Sequence, residues 1–219
     1  MVTRAPWARL LFLLVLTCSA WVPRATKLYA IGDLHGDYRQ AVAVFKALGI
    51  VDVTGVTWAV GNATVVQMGD MVNRGSDDEE ILTLIRSLQD QAEAAGGNWV
   101  VMMANHEMMS ILGWWDYSVD ALPDVGFGTL ERRAYELGPN RPLGQWIRAL
   151  PGVFVKDGIL FNHAGLADPA LARLGAATIN ARLTFDLLRG DDSSDTAYKL
   201  LWCRQVLFFS LLRLVWLWP

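Results

Sequence analysis

Three short apolar segments in the first half of the chain each run directly into a cluster of Asp, His or Asn, and this recurrence constrains the fold more than any other feature. Lys27-Leu-Tyr-Ala-Ile31 leads into Gly32-Asp33-Leu34-His35-Gly36-Asp37. Ala63-Thr-Val-Val-Gln-Met68 leads into Gly69-Asp70-Met71-Val72-Asn73-Arg74-Gly75, and Trp99-Val-Val-Met-Met103 into Asn105-His106-Glu107. Between these candidate strands the spacing turns helical. Residues 37 to 48 place Val42, Phe45 and Leu48 on one face and stop at Gly49, and residues 77 to 95 open with acids in the first turn. Strand, helix, strand, helix, strand predicts parallel pairing through helical crossovers. The carboxyl ends of such strands lie side by side, where α/β folds place their sites, so residues distant in sequence converge on one rim.

The remainder is less regular. Met108 to Asn140 has scattered Gly, Pro and aromatic residues and no sustained period. Leu143 to Leu150 reads as a short helix, and Val153 to Phe161 as a hairpin turning at Asp157-Gly158. Ala176 to Leu188 returns to helical spacing. At 219 residues the chain suits one domain, and 53% hydrophobic against 19% charged residues is globular. Lys and Arg number 19 against 22 Asp and Glu, so no basic excess points to nucleic acid as a partner.

Both ends stand apart. Arg4 and Arg9 flank Leu10-Leu-Phe-Leu-Leu-Val-Leu16, followed by the small residues Thr17-Cys18-Ser19-Ala20, the pattern of a signal or targeting peptide over residues 1–20. The run is short for a membrane span. It directs the chain to the secretory pathway or an organelle; unused, it leaves a cytosolic protein. Cleavage near Ala20 leaves Cys203 alone of the two cysteines, so no internal disulfide is expected. Asn62-Ala63-Thr64 is a glycosylation sequon that matters only on the secretory route. Residues 205–219 are almost wholly apolar and fit no element, and membrane contact by this tail is one of its possible roles.

The chain has three histidines, and all three fall in polar clusters at strand ends: His35, His106 and His163, the last in Asn162-His163-Ala164-Gly165 after the hairpin. Metal binding is the chemistry that wants this pattern. Asp33 and His35 alternate, so both project to one side of an extended segment. Carboxylate, imidazole and amide donors suit Mn, Fe or Zn. Two such ions about 3.5–4 Å apart bridge a water and make hydroxide available at neutral pH. An arginine close after a metal-binding Asp, as Arg74 follows Asp70, can hold phosphate oxygens bidentately. Asp37 alone reads as a helix start. Trp114-Trp115 and Met102-Met103 read as core or lid packing, and no Cys-x5-Arg loop makes Cys203 a nucleophile.

Gly-Asp-x-His-Gly, Gly-Asp-x-Val-x-Arg-Gly and Asn-His-Glu resemble the three signature blocks of phosphoprotein phosphatases and their calcineurin-like metallophosphoesterase relatives. Leu143-Gly-Gln-Trp-Ile-Arg-Ala-Leu-Pro151, Leu160-Phe-Asn-His-Ala-Gly-Leu166, Ile179-Asn-Ala-Arg182 and Leu201-Trp-Cys-Arg204 resemble the Shewanella-like branch. The resemblance implies an α/β fold, a four-layer α-β-β-α sandwich of two packed mixed sheets, with residues 27–204 as an incomplete catalytic domain truncated at its C-terminus. It implies two metal ions, one on Asp33, His35 and a bridging Asp70, the other on Asp70, Asn105 and His163. His106 becomes the general acid, oriented by Asn73, while Arg74, Asn105 and Arg204 bind the phosphate. The implied activity is metal-dependent phosphoester hydrolysis by a two-metal-bridged hydroxide, on a phosphoprotein or a small phosphoester. A dinucleoside-polyphosphate hydrolase on the same core, and a catalytically impaired metal-binding or interaction protein, are the alternatives. Three departures accompany the likeness. The family carries Asp where this chain has Asn73, which can accept a hydrogen bond but cannot stabilise an imidazolium as a carboxylate does. Ala104 replaces a glycine. A further metal-binding histidine belongs beyond the arginine matched by Arg204, whereas no histidine follows His163 here.

Overall fold

The three apolar segments are strands. A computed structural model of the chain describes residues 26–118, 126–166, 168–188 and 195–202. In it β1 (Leu28–Ile31), β2 (Thr64–Gln67) and β3 (Asn98–Val101) form one parallel sheet in the order β1-β2-β3, with Leu28 opposite Thr64 and Thr64 opposite Asn98. All four residues of the central strand β2 are buried, as a strand covered on both faces requires.

Successive side chains point to opposite faces, and each face has its own packing. Val65 joins Phe45, Leu88 and Trp99 in the larger core cluster, whereas Val66 packs with Met102 and Phe161 in a second one. Helix α1 (Tyr38–Ala47) starts where Asp37 caps it, the carboxylate accepting from the Gln40 N–H at 2.9 Å, and it buries Ala41 and Phe45. Helix α2 (Asp78–Ala94) buries Ile81, Leu82, Ile85 and Leu88. Each such side chain contributes about 1.5–3 kcal/mol on burial, so packing holds α2 without a side-chain bond from Asp77, its N-cap.

The second face is covered by a hairpin. Strands β4 (Val153–Lys156) and β5 (Ile159–Asn162) pair antiparallel around Asp157 and Gly158, whose φ angles of 51° and 78° suit the tight turn expected there. Phe161 and Phe154 reach the sheet side of Val66 and Met102. Helix α7 (Ala176–Leu188) packs along β4, and Asn180 secures it by accepting from Gly152 and Val153 N–H and donating to the Val153 carbonyl. Among the described residues one sheet is a parallel trio and the other an antiparallel pair, where two mixed sheets were expected, because the trio is linked by helical crossovers and the pair by a two-residue turn.

Helix α3 (Asn105–Leu112) and helix α4 (Leu130–Glu136) lie in the stretch that showed no period. Asn105 through Ser110 are all buried, so α3 has no solvent face to imprint a stripe on the sequence. Helix α5 (Pro142–Arg148) begins with proline near the helix expected at Leu143, and short helices α6 (Pro169–Ala172) and α8 (Asp195–Leu201) complete the described chain. Among these residues no helix is long and apolar enough to cross a membrane. The targeting segment, Cys203, Arg204 and the tail 205–219 lie outside the described residues.

Candidate metal and phosphate site

The loops after β1 and β2 cross one another at the rim. Leu34 and His35 N–H both donate to the Asp70 carbonyl at 2.9 Å, and Gly36 N–H donates to that of Met71 at 2.9 Å. The crossing leaves no room for side chains. A Cβ on Gly36, which has φ of 67°, would lie 2.8 Å from the Gly75 carbonyl carbon, and one on Gly75 would run into the backbone of Gly36 and His35. His35, Asp70, Asn73 and Arg74 all have positive φ, between 45° and 71°. Such residues cost about 1–3 kcal/mol each and persist where their surroundings hold them. Two buried carboxylates do so. Glu107 accepts from Asp70 N–H at 2.9 Å, Met71 N–H at 2.7 Å and Ala104 N–H at 3.2 Å. Asp78 accepts from Asn73 N–H with both oxygens at 3.0 Å. Buried Gln67 ties the loops together, donating to the carbonyls of Gly32 and Gly69.

Asp70 sits at the centre. His163 Nδ1 donates to the Met68 carbonyl at 2.9 Å, which turns Nε2 toward Asp70 Oδ2 at 3.3 Å. His35 Nδ1 meets the Val72 carbonyl at 3.3 Å, and its Nε2 stands 3.6 Å from Asp70 Oδ2 and 3.5 Å from Asp33 Oδ2. With each Nδ1 donating to a backbone carbonyl, each Nε2 is turned toward the Asp70 carboxylate, where a ring proton or a metal ion can stand between nitrogen and oxygen. Orientation by a backbone carbonyl is how ligating histidines are held. Two groups of donors converge within 4.8 Å: Asp33, Asp70 and His163, and His35, Asp70 and His106. Asp70 belongs to both, as a bridging carboxylate must, and His35 Nε2 reaches Asp33 as well as Asp70. Asn105 is buried at the start of α3 and lines the adjoining cavity. These residues fit a pair of metal ions.

Electrostatics agree. Burial would raise the Asp70 carboxyl, but contact with His163 outweighs it and holds the group below its ordinary 3.8. Burial likewise opposes a charged His163, yet the Asp70 carboxylate raises that imidazole above 6.5. Burial, with the neighbouring Asp70 charge, pushes Glu107 up to about 7. His106 moves the other way, down to about 4, chiefly through burial and only partly offset by Asp70.

His106 packs edge-on to His35, with ring centres 4.7 Å apart. Asn73 reaches it as expected, but with the opposite polarity: the amide nitrogen Nδ2, not the oxygen, lies 3.0 Å from His106 Nδ1. The reason is Arg133, a fully buried residue on α4. Its Nη2 donates to Asn73 Oδ1 at 2.7 Å and to Ser110 Oγ at 2.9 Å, while Nη1 pairs with Asp78 at 2.5 Å. Arg74 is exposed and lies across the two histidines, Nη1 at 2.9 Å from His35 Nε2 and Nη2 at 3.1 Å from His106 Nε2. Beside them a cavity of about 370 Å³ is lined by Arg74, Asn105, His106, Trp114, Tyr117 and Trp202. Trp114 thus walls this cavity, whereas Met102 and Met103 are core as expected. Sequence reasoning missed Gln67, Asp78, Ser110 and Arg133 and gave Glu107 no role. Glu107 stood inside a recognised block, and Asp78 was hidden among the acids opening α2.

A parallel α/β sheet whose strand ends bring carboxylates and imidazoles together beside an arginine defines the class of metal-binding phosphoesterases. The chain belongs to the calcineurin-like phosphoesterase family, whose sequence profile matches residues 26–209. It is 37% identical over 150 residues to an uncharacterized protein of Schizosaccharomyces pombe, covering 65% of this chain and 44% of the relative. It is 42% identical over 91 residues to Shewanella-like protein phosphatase 2 of Arabidopsis thaliana, covering 42% of this chain and 23% of the relative. The aligned stretches thus span less than half the length of either relative. A cold-active protein-tyrosine phosphatase of a psychrophilic Shewanella shares the fold, with a TM-score of 0.74 at 24% identity over 87% of this chain and 63% of its own.

Proposed function

We propose that the chain hydrolyses phosphoesters with two metal ions held about Asp70, and that phosphoproteins are its substrates. The observation that carries this reading is the pair of histidine Nε2 atoms, from His35 and His163, turned toward one buried carboxylate. Asp33, His35, Asp70, Asn105 and His163 would hold the ions, and their mixed donors suit Mn, Fe or Zn. Bound there, the ions would supply an activated water and positive charge for the phosphoryl oxygens. The chain's own residues do the rest. Arg74 bonds the His35 lone pair only while no ion takes it; released, its guanidinium faces the cavity and can clamp phosphate oxygens. His106 lines the same cavity, where its ring can meet a leaving oxygen, and the Glu107 and Asp78 carboxylates keep both loops in register. The shared fold and the phosphatase names among the relatives support the substrate class. The test is hydrolysis by the full chain, stripped of metal and then given Mn, of tyrosine and serine phosphopeptides, an aryl phosphate and a dinucleoside polyphosphate. Phosphopeptide turnover that appears only with metal is expected; metal-dependent turnover of the dinucleotide alone, or no turnover, contradicts the proposal.

A further inference from the structure

His106 lies between two hydrogen-bond donors, and only one of them is buried. A guanidinium can only donate, so the Asn73 atom 2.7 Å from Arg133 Nη2 is the amide oxygen. The amide NH2 group is thereby turned to His106 Nδ1 at 3.0 Å and donates to it. Asn73 cannot turn over. It is 1% exposed, its own N–H is bound by both Asp78 oxygens, and Arg133 is anchored to that same Asp78. Arg74, the donor at the other ring nitrogen, is exposed on the cavity wall and bridges His106 Nε2 to His35 Nε2. The buried partner therefore sets the tautomer. Nδ1 accepts, and the ring proton resides on Nε2, facing the cavity.

Building on the phosphoesterase reading above, we infer that Arg133, acting through Asn73, is a positioning residue that holds His106 as a neutral Nε2–H donor and so suits the site to phosphoesters with acidic leaving groups. A carboxylate at position 73 would give the opposite result. It has acceptors for both neighbours, taking one hydrogen bond from Arg133 and one from His106 Nδ1–H, so its charge would support a fully protonated ring. An amide has one acceptor atom, and here Arg133 and Ser110 occupy it. A neutral imidazole can hydrogen-bond a departing oxygen through Nε2–H but does not hand it a proton. In hydrolysis here the oxygen of water bonds to phosphorus and sheds its proton to solvent, and the bond to the ester oxygen breaks with its electron pair. That oxygen leaves as an anion, held by Nε2–H, and takes its proton from solvent. Aryl esters and phosphoanhydrides tolerate such a departure; alkyl esters do so poorly. The aromatic wall of Trp114, Tyr117 and Trp202 beside Nε2 fits a planar aryl leaving group.

The tautomer is read by long-range proton–nitrogen correlation spectra of the three histidine rings in the full chain without metal, at neutral pH, assigned with His35→Gln and His163→Gln variants. A pyridine-like Nδ1 and a pyrrole-like Nε2 on His106 are expected; a pyrrole-like Nδ1 overturns the inference. The kinetic consequence is read in Asn73→Asp. General acid catalysis is worth about 10²–10⁴-fold, so kcat/KM for a phosphoserine peptide relative to para-nitrophenyl phosphate should rise at least ~10-fold in the variant. An unchanged ratio in a variant that turns over both substrates overturns it as well. Absence of metal-dependent turnover in the wild-type chain would count against the phosphoesterase reading, and the ring spectra would still decide the tautomer.

Discussion

The carboxylate of Asp70 faces the Nε2 atoms of two imidazoles, so removing its charge separates a metal site from an ordinary hydrogen-bond network. Asp70→Asn should lower metal content for both equivalents at once, since the same oxygens serve both donor groups. Elemental analysis of purified protein checks this, and unchanged stoichiometry would remove Asp70 from the bridging position. The proton on His163 makes a second prediction. The folded-state pKa of this group is raised, so the proton stabilises the metal-free fold fully below about 6.5, the ordinary value, and that stabilisation is lost as pH rises through the raised value. A metal ion needs the Nε2 lone pair that the proton occupies, so apparent metal affinity falls as pH drops through the raised His163 value. Calorimetry at pH 7 in buffers of different ionisation enthalpy should register proton release on Mn binding. A binding heat independent of buffer would contradict the assignment.

At the level of elements, the site depends on two loops that cross with glycine against glycine. Gly75→Ala places a methyl against the backbone of Gly36 and His35, which cannot give way as a flexible side chain can. Damage to the geometry around ligands typically costs about 10–100-fold in affinity, and Mn affinity should fall by at least that lower figure in the variant. Protection of the β1–β3 amides from hydrogen exchange should survive, since the crossing lies beyond the strand ends; a collapse of that protection would show that the crossing supports the sheet itself. The strands and their parallel order were legible because each apolar run is punctuated by a polar cluster and separated by a helix-period segment. The hairpin was legible through Asp157-Gly158 alone, both of which take the positive φ the turn requires. Helix α3 was not, because burial on all sides removes the stripe by which helices are recognised. The direction of the Asn73 amide was equally hidden, since Arg133, 60 residues away, decides it and lies on a helix the sequence did not mark.

Across the whole molecule, the proposed ligands come from four segments: the loops after β1 and β2, the start of α3 and the turn after β5. Both sheets therefore contribute, and His163 joins them through its bond to the Met68 carbonyl beyond β2. An ion that binds only this assembled rim stabilises the fold by mass action, by about 2.7 kcal/mol at a hundredfold excess over its Kd. For a domain of this size that corresponds to a melting-temperature rise of roughly 5–10 °C. Thermal unfolding of the full chain with Mn, against the same protein in chelator, should show that rise, and Asp70→Asn should abolish most of it. The chain's histidines, carboxylates and glycines thus converge on one claim, that two metal ions share Asp70. Anomalous scattering from crystals of the full chain soaked in Mn tests it most directly. Two peaks are expected, on either side of the Asp70 carboxylate and separated by about 3.5–4 Å. A single peak, or a pair bound away from Asp70, would contradict it.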